Sequence, residues 1–375
     1  MLFCPTCANC LIIQLDDHGN NKWSCHTCPY EFPIIQQMTT RQHLKRKEVD
    51  DVMGGEESWK NVDSIDASNR DEFLSRPTLP AAWHSFSSPT ISSTSSSYEA
   101  SHHILSARDA TGGGTWLGIT RNGAFATLTN FTELSAPLPE GMDLFESRGK
   151  LVRDWLSSQS SLKAKRSAEE VKGEVERYLK GLDGKLDRFP GFNLLVGSIS
   201  TEGTLVGYIT NRNADGSLTR NREPDIFLPT NPEGKVPGGM SNSVLSQPWS
   251  KVSQGSTTFL STLNRSHSSE DQIIQELYDL LWTSSTPAPA QRSELRNSVL
   301  ISPLQLPTVA EGGRDWYATR TSTVILIAKH GRARLVERDT FAVQGGKAVL
   351  VNGPEASAAV KGRNGGQRSF EWKIE

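Results

Sequence analysis

Apolar and polar residues alternate in several pairs of neighbouring segments, which is the pattern of antiparallel β-hairpins. The clearest pair lies at residues 115–120 and 124–130, with an Asn-Gly turn at Asn122-Gly123 between the two strand-like runs. The remaining strands are predicted at residues 193–199 with 205–210, at residues 323–328 with 332–336 around His330-Gly331, and at residues 369–374. Much of the chain is therefore expected to form antiparallel sheet.

Three other segments carry apolar residues at the spacing of an amphipathic helix. Ser167 and Glu170 form a capping box before the first, Ser269 and Gln272 precede the second, and Pro248-Trp249 precedes the third. Their apolar stripes are expected to face the core: Val171, Val175, Tyr178 and Leu179; Ile273, Leu277, Leu280 and Leu281; Val252, Phe259 and Leu263. Helices interspersed with antiparallel hairpins predict an α+β layered sandwich.

The cysteines are concentrated at one end of the chain. All five (Cys4, Cys7, Cys10, Cys25 and Cys28) lie within the first 28 residues. A disulfide framework would spread them through the fold, so this distribution favours metal binding in a reducing compartment.

The spacing of these cysteines is that of a zinc ribbon, with two C-x2-C pairs separated by 17 residues. Each pair can aim two thiolates at one tetrahedral Zn²⁺, which predicts Cys4, Cys7, Cys25 and Cys28 as ligands. Strands at residues 11–13 and 22–24, joined by a turn at residues 16–21, would form the intervening hairpin. Cys10 is left as a buried or free thiol.

Composition excludes some classes of protein. Hydrophobic residues make up 36% of the chain, charged residues 22%, and the net charge is −2. This balance argues against a wholly disordered chain, and acidic residues outnumber basic ones in residues 1–69, so direct nucleic-acid binding is not expected. With neither a long apolar run nor a basic secretory signal at its start, the chain is expected to have no membrane span and to be intracellular.

The first 64 residues resemble the small transcript-cleavage subunit of RNA polymerase III. The resemblance rests on Phe3-Cys4-Pro5-x-Cys7, Ser24-Cys25-x-Thr27-Cys28-Pro29-Tyr30, Lys47-Glu48-Val49-Asp50-Asp51-Val52-x-Gly54-Gly55 and Trp59-x-Asn61-Val62-Asp63-Ser64. In that family the first ribbon docks on the polymerase, and a second ribbon with an acidic hairpin helps to cleave RNA. No cysteine follows Cys28 here, so docking without cleavage is the expectation.

The remainder of the chain resembles the NRDE family, also called the transport and Golgi organisation protein 2 family. The motifs are Asn69-Arg70-Asp71-Glu72, Leu105-Ser106-x-Arg108-Asp109, Gly113-x-Thr115-Trp116-Leu117-Gly118, Thr129-Asn130-Phe131, Ser147-Arg148-Gly149, Gly191-Phe192-Asn193, Gly239-Met240-Ser241-Asn242, Pro248-Trp249 and Arg320-Thr321-x-Thr323. The family resembles N-terminal-nucleophile hydrolases of the choloylglycine type, which implies an αββα sandwich. Its members are linked to Golgi organisation, secretion, and mitochondrial lipid and haem handling.

In such hydrolases a terminal Cys is the nucleophile and its own α-amine is the base. By this resemblance, Arg70 and Asp71 would lie beside the nucleophile, within the motif that Asn69 opens and Glu72 closes. Asn130 and Asn242 are candidates for oxyanion or substrate contacts, and Arg320 is a candidate for a carboxylate or phosphate contact.

Structural roles compete with each of these assignments. Asn69 and Asp71 are equally consistent with turn formers or helix caps, Arg70 and Arg320 with ion-pair partners, and Asn242 with a cap on the following segment.

The sequence predicts three parts: a zinc ribbon at residues 1–35, a linker at residues 36–68, and an NRDE domain at residues 69–375 with a Ser-rich insert at residues 84–103. Family members begin with Met-Cys and an apolar strand, whereas residues 59–68 have neither a cysteine nor strand alternation. We therefore expect no catalytic residue and an incomplete sandwich with an open sheet, unless another segment fills the gap. The abrupt junction fits a real fusion, and it fits better a mis-joined gene model that links the first exon of a polymerase-subunit gene to a neighbouring NRDE gene.

Three hypotheses follow for function. The first is a non-catalytic NRDE-family protein with an appended ribbon and an unidentified small-molecule or lipid-like ligand, in the cytoplasm and associated with the Golgi or mitochondria. The second is a zinc protein of the nucleus that binds the RNA polymerase III core through the ribbon. The third is an amide hydrolase, against which the missing terminal cysteine argues.

Overall fold

The computed structural model describes residues 4–7, 9–34, 64–86, 103–132, 145–159, 166–200, 203–227, 238–265, 267, 269–308, 313–328, 331–352 and 366–374. The predicted linker up to residue 63, most of the predicted Ser-rich insert, and His330 lie outside these residues. The chain divides into two compact units, Met1–Glu48 and Val49–Glu375. None of the helices that the structure describes combines the length and apolar character needed to cross a bilayer.

The first unit is a three-stranded antiparallel sheet in the order β1-β2-β3, formed by β1 (Leu11–Leu15), β2 (Asn21–Cys25) and β3 (Glu31–Pro33). The predicted hairpin is confirmed, although both strands are longer than expected and a third strand follows. Asp16 fixes the turn, because its carboxylate accepts the backbone N–H groups of His18 and Asn20 while Gly19 adopts a φ of 80°.

The second unit contains a seven-stranded sheet and a five-stranded sheet. The first, in the order β11-β10-β9-β8-β7-β6-β5, comprises β5 (Thr78–His84), β6 (Ile104–Asp109), β7 (Leu117–Thr120), β8 (Ala124–Asn130), β9 (Phe192–Ser200), β10 (Gly203–Thr210) and β11 (Asp225–Phe227). The second has the order β12-β13-β14-β17, with β4 also paired to β13; it comprises β4 (Ser64–Phe73), β12 (Leu304–Pro307), β13 (Arg314–Ile327), β14 (Arg332–Asp339) and β17 (Gln367–Lys373). A small hairpin joins β15 (Phe341–Gln344) to β16 (Lys347–Leu350).

Among the described residues, four α-helices lie on the outer side of the sheets: α1 (Gly149–Gln159), α2 (Ala168–Lys180), α3 (Ser250–Leu263) and α4 (Glu270–Leu281). Side chains of α1 and α2 form one core with the seven-stranded sheet, and α4 forms another with β13 and β14. A third core fills the space between the sheets, where Leu105 and Ile119 meet Ile325 and Leu335. These layers confirm the predicted α+β class and the αββα sandwich.

The capping signals in the sequence lie where the helices begin. Ser167 caps α2 in a complete capping box with Glu170, and the side chain of Ser269 caps α4 through the backbone N–H of Gln272. Helix α3 begins after Trp249 without a side-chain cap, and α1 has no counterpart among the predicted helices.

Strand β4 begins at Ser64, inside the segment that the sequence predicts as a linker, so that expectation is wrong for residues 64–68. Residues 64–68, which lack strand alternation, nevertheless pair with β13 from Thr323 to Ile327. Among the described strands only β13 pairs with β4, so its other edge is unpaired in that part of the chain. The Oδ1 atom of Asp66 on this strand is buried without a hydrogen-bond partner, and burial raises the pKa of Asp66 to about 6 although Ser68 donates to it.

On β14, which pairs with β13 as β4 does, a buried carboxylate links the two sheets. Glu337 on β14 accepts the backbone N–H of Ala81 on β5 at 2.9 Å and the Nε of Arg368 at 2.8 Å. Burial raises the pKa of Glu337, and the Arg368 charge opposes that rise. Each sheet therefore depends on the other for a hydrogen bond at this point.

Candidate metal centre and motif residues

The four predicted zinc ligands come together in the first unit. The Sγ atoms of Cys4, Cys7, Cys25 and Cys28 all lie within 4.8 Å of one another, with Cys4 to Cys28 at 3.5 Å and Cys7 to Cys25 at 3.4 Å. Four sulfurs at the corners of a tetrahedron, each about 2.3 Å from a central Zn²⁺, would be roughly 3.8 Å apart. The donor set and its spacing therefore fit a single tetrahedral zinc ion.

Backbone N–H groups at the two turns stabilise thiolates. The N–H of Thr6 points at the sulfur of Cys4 at 3.4 Å, and that of Thr27 at the sulfur of Cys25 at 3.5 Å. Burial raises the pKa of Cys4, but these N–H contacts and the neighbouring thiols lower it to about 6. The Tyr30 N–H lowers the pKa of Cys28, yet burial and the neighbouring thiols raise it to about 12. Close thiols hinder one another's ionisation because thiolates repel, and a bound cation would offset that repulsion.

Cys10 takes no part in this cluster. Its side chain is exposed and its sulfur lies 3.7 Å from the carbonyl oxygen of Leu11. Of the two alternatives expected for this residue, the free thiol is correct and the buried one is wrong.

The four motif residues from Asn69 to Glu72 lie inside β4, so Asn69 and Asp71 are neither turn formers nor helix caps. The side-chain amide of Asn69 donates to the carbonyls of Leu281 at 2.7 Å and Val299 at 3.1 Å, and its oxygen accepts the hydroxyl of Ser322 at 2.7 Å. It thus ties the sheet to the end of α4 and to the loop before β12.

Arg70 points to the other side of β4, towards the seven-stranded sheet. Its guanidinium lies 3.8 Å from the centroid of the Trp116 ring, donates to the hydroxyl of Thr78 at 2.6 Å, and lies 3.9 Å from Glu72. Burial lowers its pKa to about 10, which the charge of Glu72 partly offsets. These contacts fit the structural alternative of an ion-pair partner that also stacks on an aromatic ring.

Asp71 and Glu72 differ in their surroundings. The carboxylate of Asp71 accepts the hydroxyl of Thr319 at 2.7 Å and lies 3.9 Å from the Nζ of Lys251 on α3, and burial raises its pKa. Glu72 accepts the backbone N–H of Phe73 and lies 3.6 Å from Arg76. Asp71 therefore has a lysine of α3 beside it, whereas Glu72 lies between the arginines of its own segment, Arg70 and Arg76.

Arg320 on β13 supports the turn that follows β4. Its Nη1 donates to the carbonyls of Leu74 at 3.0 Å and Arg76 at 2.7 Å. Burial lowers the pKa of Arg320, and the charges of Asp339 and Glu72 oppose that decrease. A contact with a ligand carboxylate or phosphate, as predicted, would have to share a guanidinium that already holds this turn.

The two asparagine candidates lie on adjoining segments. Asn130 is exposed at the end of β8, and the backbone carbonyl of Asn242 accepts the N–H of Thr132 at 3.0 Å. Helix α3 begins only at Ser250, so Asn242 does not cap it.

Asn193 is the residue that sequence reasoning missed in this region. Fully buried on β9, it donates to the carbonyls of Ser241 and Ser243 and accepts the hydroxyl of Tyr208 at 2.8 Å. Its place in the Gly191-Phe192-Asn193 motif was the available signal. It anchors the segment that carries Asn242.

The structure groups Asn69, Arg70, Asp71, Glu72 and Arg320 around the end of β4, and Asn130 with Asn242 around Asn193. Arg76 and Asp109 were also missed, and they form an ion pair of 2.7 Å beside the first group. Every cysteine of the chain belongs to the first unit, so none lies on the strands of the second.

Comparison with known proteins gives a separate relative for each unit. The Transport and Golgi organisation 2 model matches residues 62–342, and that of RNA polymerases M/15 Kd subunit, a zinc-ribbon family, matches residues 1–37. The chain is 29% identical over 277 residues to the human Transport and Golgi organization protein 2 homolog, covering 72% of this chain and 84% of the relative.

Residues of the first unit and beyond are similar to a polymerase subunit. The chain is 51% identical over 61 residues to DNA-directed RNA polymerase III subunit RPC10 of Schizosaccharomyces pombe, which covers 16% of this chain and 56% of that subunit. Among solved structures, penicillin V acylase from Agrobacterium tumefaciens is similar at 13% identity and a TM-score of 0.32, covering 78% of this chain and 83% of the acylase. The Transport and Golgi organisation 2 model matches residues 62–342, which is most of the chain. The chain therefore belongs to the Transport and Golgi organisation 2 family.

Proposed function

We propose that the chain contributes to Golgi organisation and secretion without acting as a hydrolase, and that its N-terminal unit holds one structural Zn²⁺ through Cys4, Cys7, Cys25 and Cys28. The single observation that carries the zinc proposal is the convergence of four Sγ atoms within 4.8 Å of one another. Thiolates are soft donors that favour Zn²⁺ over magnesium or calcium.

The size of the ribbon supports the same proposal. Its buried apolar cluster contains Leu11, Cys4 and Cys25, with Trp23, Cys28 and Tyr30 packed partly against them. So small a core does not fold on its own without a cross-link, and a metal ion bound by four thiolates provides that cross-link.

Metal analysis of the purified full-length chain tests the zinc proposal. One zinc per chain is expected for the wild type and for Cys10→Ser, which changes the exposed thiol outside the cluster. Cys25→Ser should lose the metal, and chelation should unfold the ribbon while the second unit keeps its unfolding temperature. A full zinc complement in Cys25→Ser would overturn the assignment.

The secretory role is supported by the family to which the chain belongs and by the Golgi-related name of its human relative. The test is expression of the full chain in cells that lack their own family member, with export of a reporter cargo from the endoplasmic reticulum as the measurement. Restored export supports the role, and unchanged export contradicts it. Hydrolysis of N-acyl amides should be undetectable in the same preparation, because no cysteine follows Cys28 to serve as a nucleophile in the second unit.

A second candidate function is docking of the ribbon on an RNA polymerase III core, which would direct the chain to the nucleus. A row of apolar side chains crosses one face of its sheet, since Ile13 lies opposite Trp23 and Trp23 opposite Phe32. Ile13 is 56% exposed, Phe32 49%, and the adjacent Leu15 66%. An apolar row on so small a unit is typical of a protein-binding surface.

Co-purification of polymerase III with the tagged chain tests this candidate. Phe32→Ser should abolish it, whereas Ile12→Ser should preserve it, because Ile12 lies on the opposite face of β1 and is also exposed, at 40%. Equal recovery of polymerase with both variants would refute docking through this row.

A further inference from the structure

A lysine side chain at the start of α3 is mostly buried without a hydrogen-bond partner among the described residues. Lys251 is 13% exposed, and its closest ionic partner is the Oδ2 of Asp71 at 3.9 Å. That separation is too long for a hydrogen bond. The ammonium therefore has one distant carboxylate and open hydrogen-bonding capacity.

Asp71 does not satisfy this lysine fully because it is engaged elsewhere. Its Oδ1 accepts the hydroxyl of Thr319 at 2.7 Å, and its backbone carbonyl accepts the hydroxyl of Tyr317 at 3.2 Å. Burial lowers the pKa of Lys251, and the charge of Asp71 opposes this. The ammonium of this mostly buried side chain therefore keeps donor positions that an acceptor from outside the described protein can take.

An aromatic ring lies near the lysine, and a second cation lies near the same ring. The ring of Trp249 has the Nζ of Lys251 at 5.7 Å and the Cζ of Arg296 at 5.8 Å from its centroid. Arg292 stands 5.8 Å from the ring of Tyr317. Among the described residues neither arginine forms an ion pair within 4.0 Å, and the one carboxylate in an ion pair with Lys251 is that of Asp71.

We infer that Lys251 and Arg296 bind the anionic group of a small organic ligand against the ring of Trp249. The group is a phosphate or a carboxylate, because either supplies the acceptors that the ammonium lacks and a charge that both cations attract. Shielding by the protein strengthens this attraction relative to a fully exposed pair. The flat face of Trp249 suits the body of the ligand. This inference holds whether or not the ribbon binds zinc or polymerase.

The test measures how fast Lys251 is methylated by formaldehyde and a borane in the full chain, residue by residue, by mass spectrometry. Sodium phosphate and sodium propionate serve as probes in separate arms at matched ionic strength. An anion concentration about tenfold above the dissociation constant should slow methylation of Lys251 about tenfold. Lys180, whose side chain is 57% exposed on α2, should keep its rate.

Variants separate a binding site from general shielding by salt. Arg296→Gln should lose most of the protection and Arg296→Lys should retain part of it; because Arg296 is exposed, both should fold. Arg188→Gln, an exposed arginine elsewhere, should be protected like the wild type. Protection by phosphate alone identifies a phosphate ligand, and protection by propionate alone identifies a carboxylate. Protection by neither, or equal protection of Lys251 and Lys180, overturns the inference.

Discussion

Replacing Asn69 by alanine tests whether this motif residue holds the second unit together. Its side chain makes three hydrogen bonds, two to the carbonyls of Leu281 and Val299 and one from the hydroxyl of Ser322. A hydrogen bond contributes about 1 kcal/mol net, and a carbonyl left without a partner adds to the loss. Asn69→Ala should therefore lower the free energy of unfolding by about 3 kcal/mol.

A matched control is available in the same set of candidates. Asn130 is exposed, and its side chain forms no hydrogen bond with the described residues. Asn130→Ala should change the free energy of unfolding by less than about 0.5 kcal/mol. The two substitutions remove the same atoms, so their difference isolates the effect of the contacts.

Urea unfolding followed by tryptophan fluorescence is the suitable assay, since eight of the nine tryptophans lie outside the ribbon. Unchanged slopes of free energy against urea would show that the variants unfold from comparable states. A loss below about 1 kcal/mol for Asn69→Ala, or an equal loss for Asn130→Ala, would refute the argument that Asn69 ties the sheet to α4.

Three further predictions concern stability. Folding raises the pKa of Asp66 to about 6, so the cost of burying its ionised carboxylate is absent below the unfolded pKa near 3.8 and complete above the folded pKa. Asp66→Asn should therefore raise the free energy of unfolding at pH 7 by at most roughly 3 kcal/mol and leave it unchanged near pH 3.5, as measured by urea titration. A gain at both pH values would contradict this. Arg368→Met should cost about 3 to 5 kcal/mol at pH 7, because it leaves the carboxylate of Glu337 buried without its cation, and Arg368→Lys should recover part of this loss. Gly123→Ala should destabilise the chain by more than about 1 kcal/mol in thermal unfolding. The reason is that Gly123 has a φ of 83° and a Cβ there would lie 2.2 Å from a carbonyl oxygen. Gly184→Ala should cost less, because Gly184 has a φ of 70° but open space around it.

Elements whose signals are local could be predicted from the sequence. The cysteine spacing predicts which four sulfur atoms come together, because two C-x2-C pairs can converge on one tetrahedral position. Asn122-Gly123 indicates its hairpin because Gly123 supplies the positive φ, 83°, that the turn requires. The capping box at Ser167 predicts the start of α2 for a similar reason.

Strand β4 could not be predicted because what stabilises it is distant in sequence. Its polar side chains find partners on other elements, as Asn69 does on Ser322 and Asp71 on Thr319. Its apolar Ile65 and Ala67 pack against the core of α4. Helix α1 was missed because it has neither an acidic first turn nor a basic last turn, although Trp155 and Leu156 on it are fully buried. In both cases tertiary contacts outweigh local preference.

The motif residues on β4 alternate between its two sides, which separates their roles. Asn69 and Asp71 face the helices, and Arg70 faces the other sheet. Loss of function in a variant of this motif is therefore no sign of catalysis unless the variant is shown to be folded. Asp71 is the position where structure and ligand binding are best separated, because an amide oxygen can still accept the hydroxyl of Thr319 while the negative charge is removed.

Asp71→Asn should therefore change the free energy of unfolding by less than about 1 kcal/mol, because relief of a buried carboxylate offsets the loss of the partner of Lys251. It should also strengthen anion binding, because the carboxylate that repels the ligand is gone. In the wild type, saturating phosphate or propionate should raise the unfolding temperature, and in Asp71→Asn the same anion should raise it further. Equal shifts in the two proteins would mean that the anion binds out of reach of Asp71, and the site would then have to be sought away from Lys251. A larger shift in Asp71→Asn that disappears when Arg296→Gln is added would locate the anion between the two cations, since only there do both charges act on it.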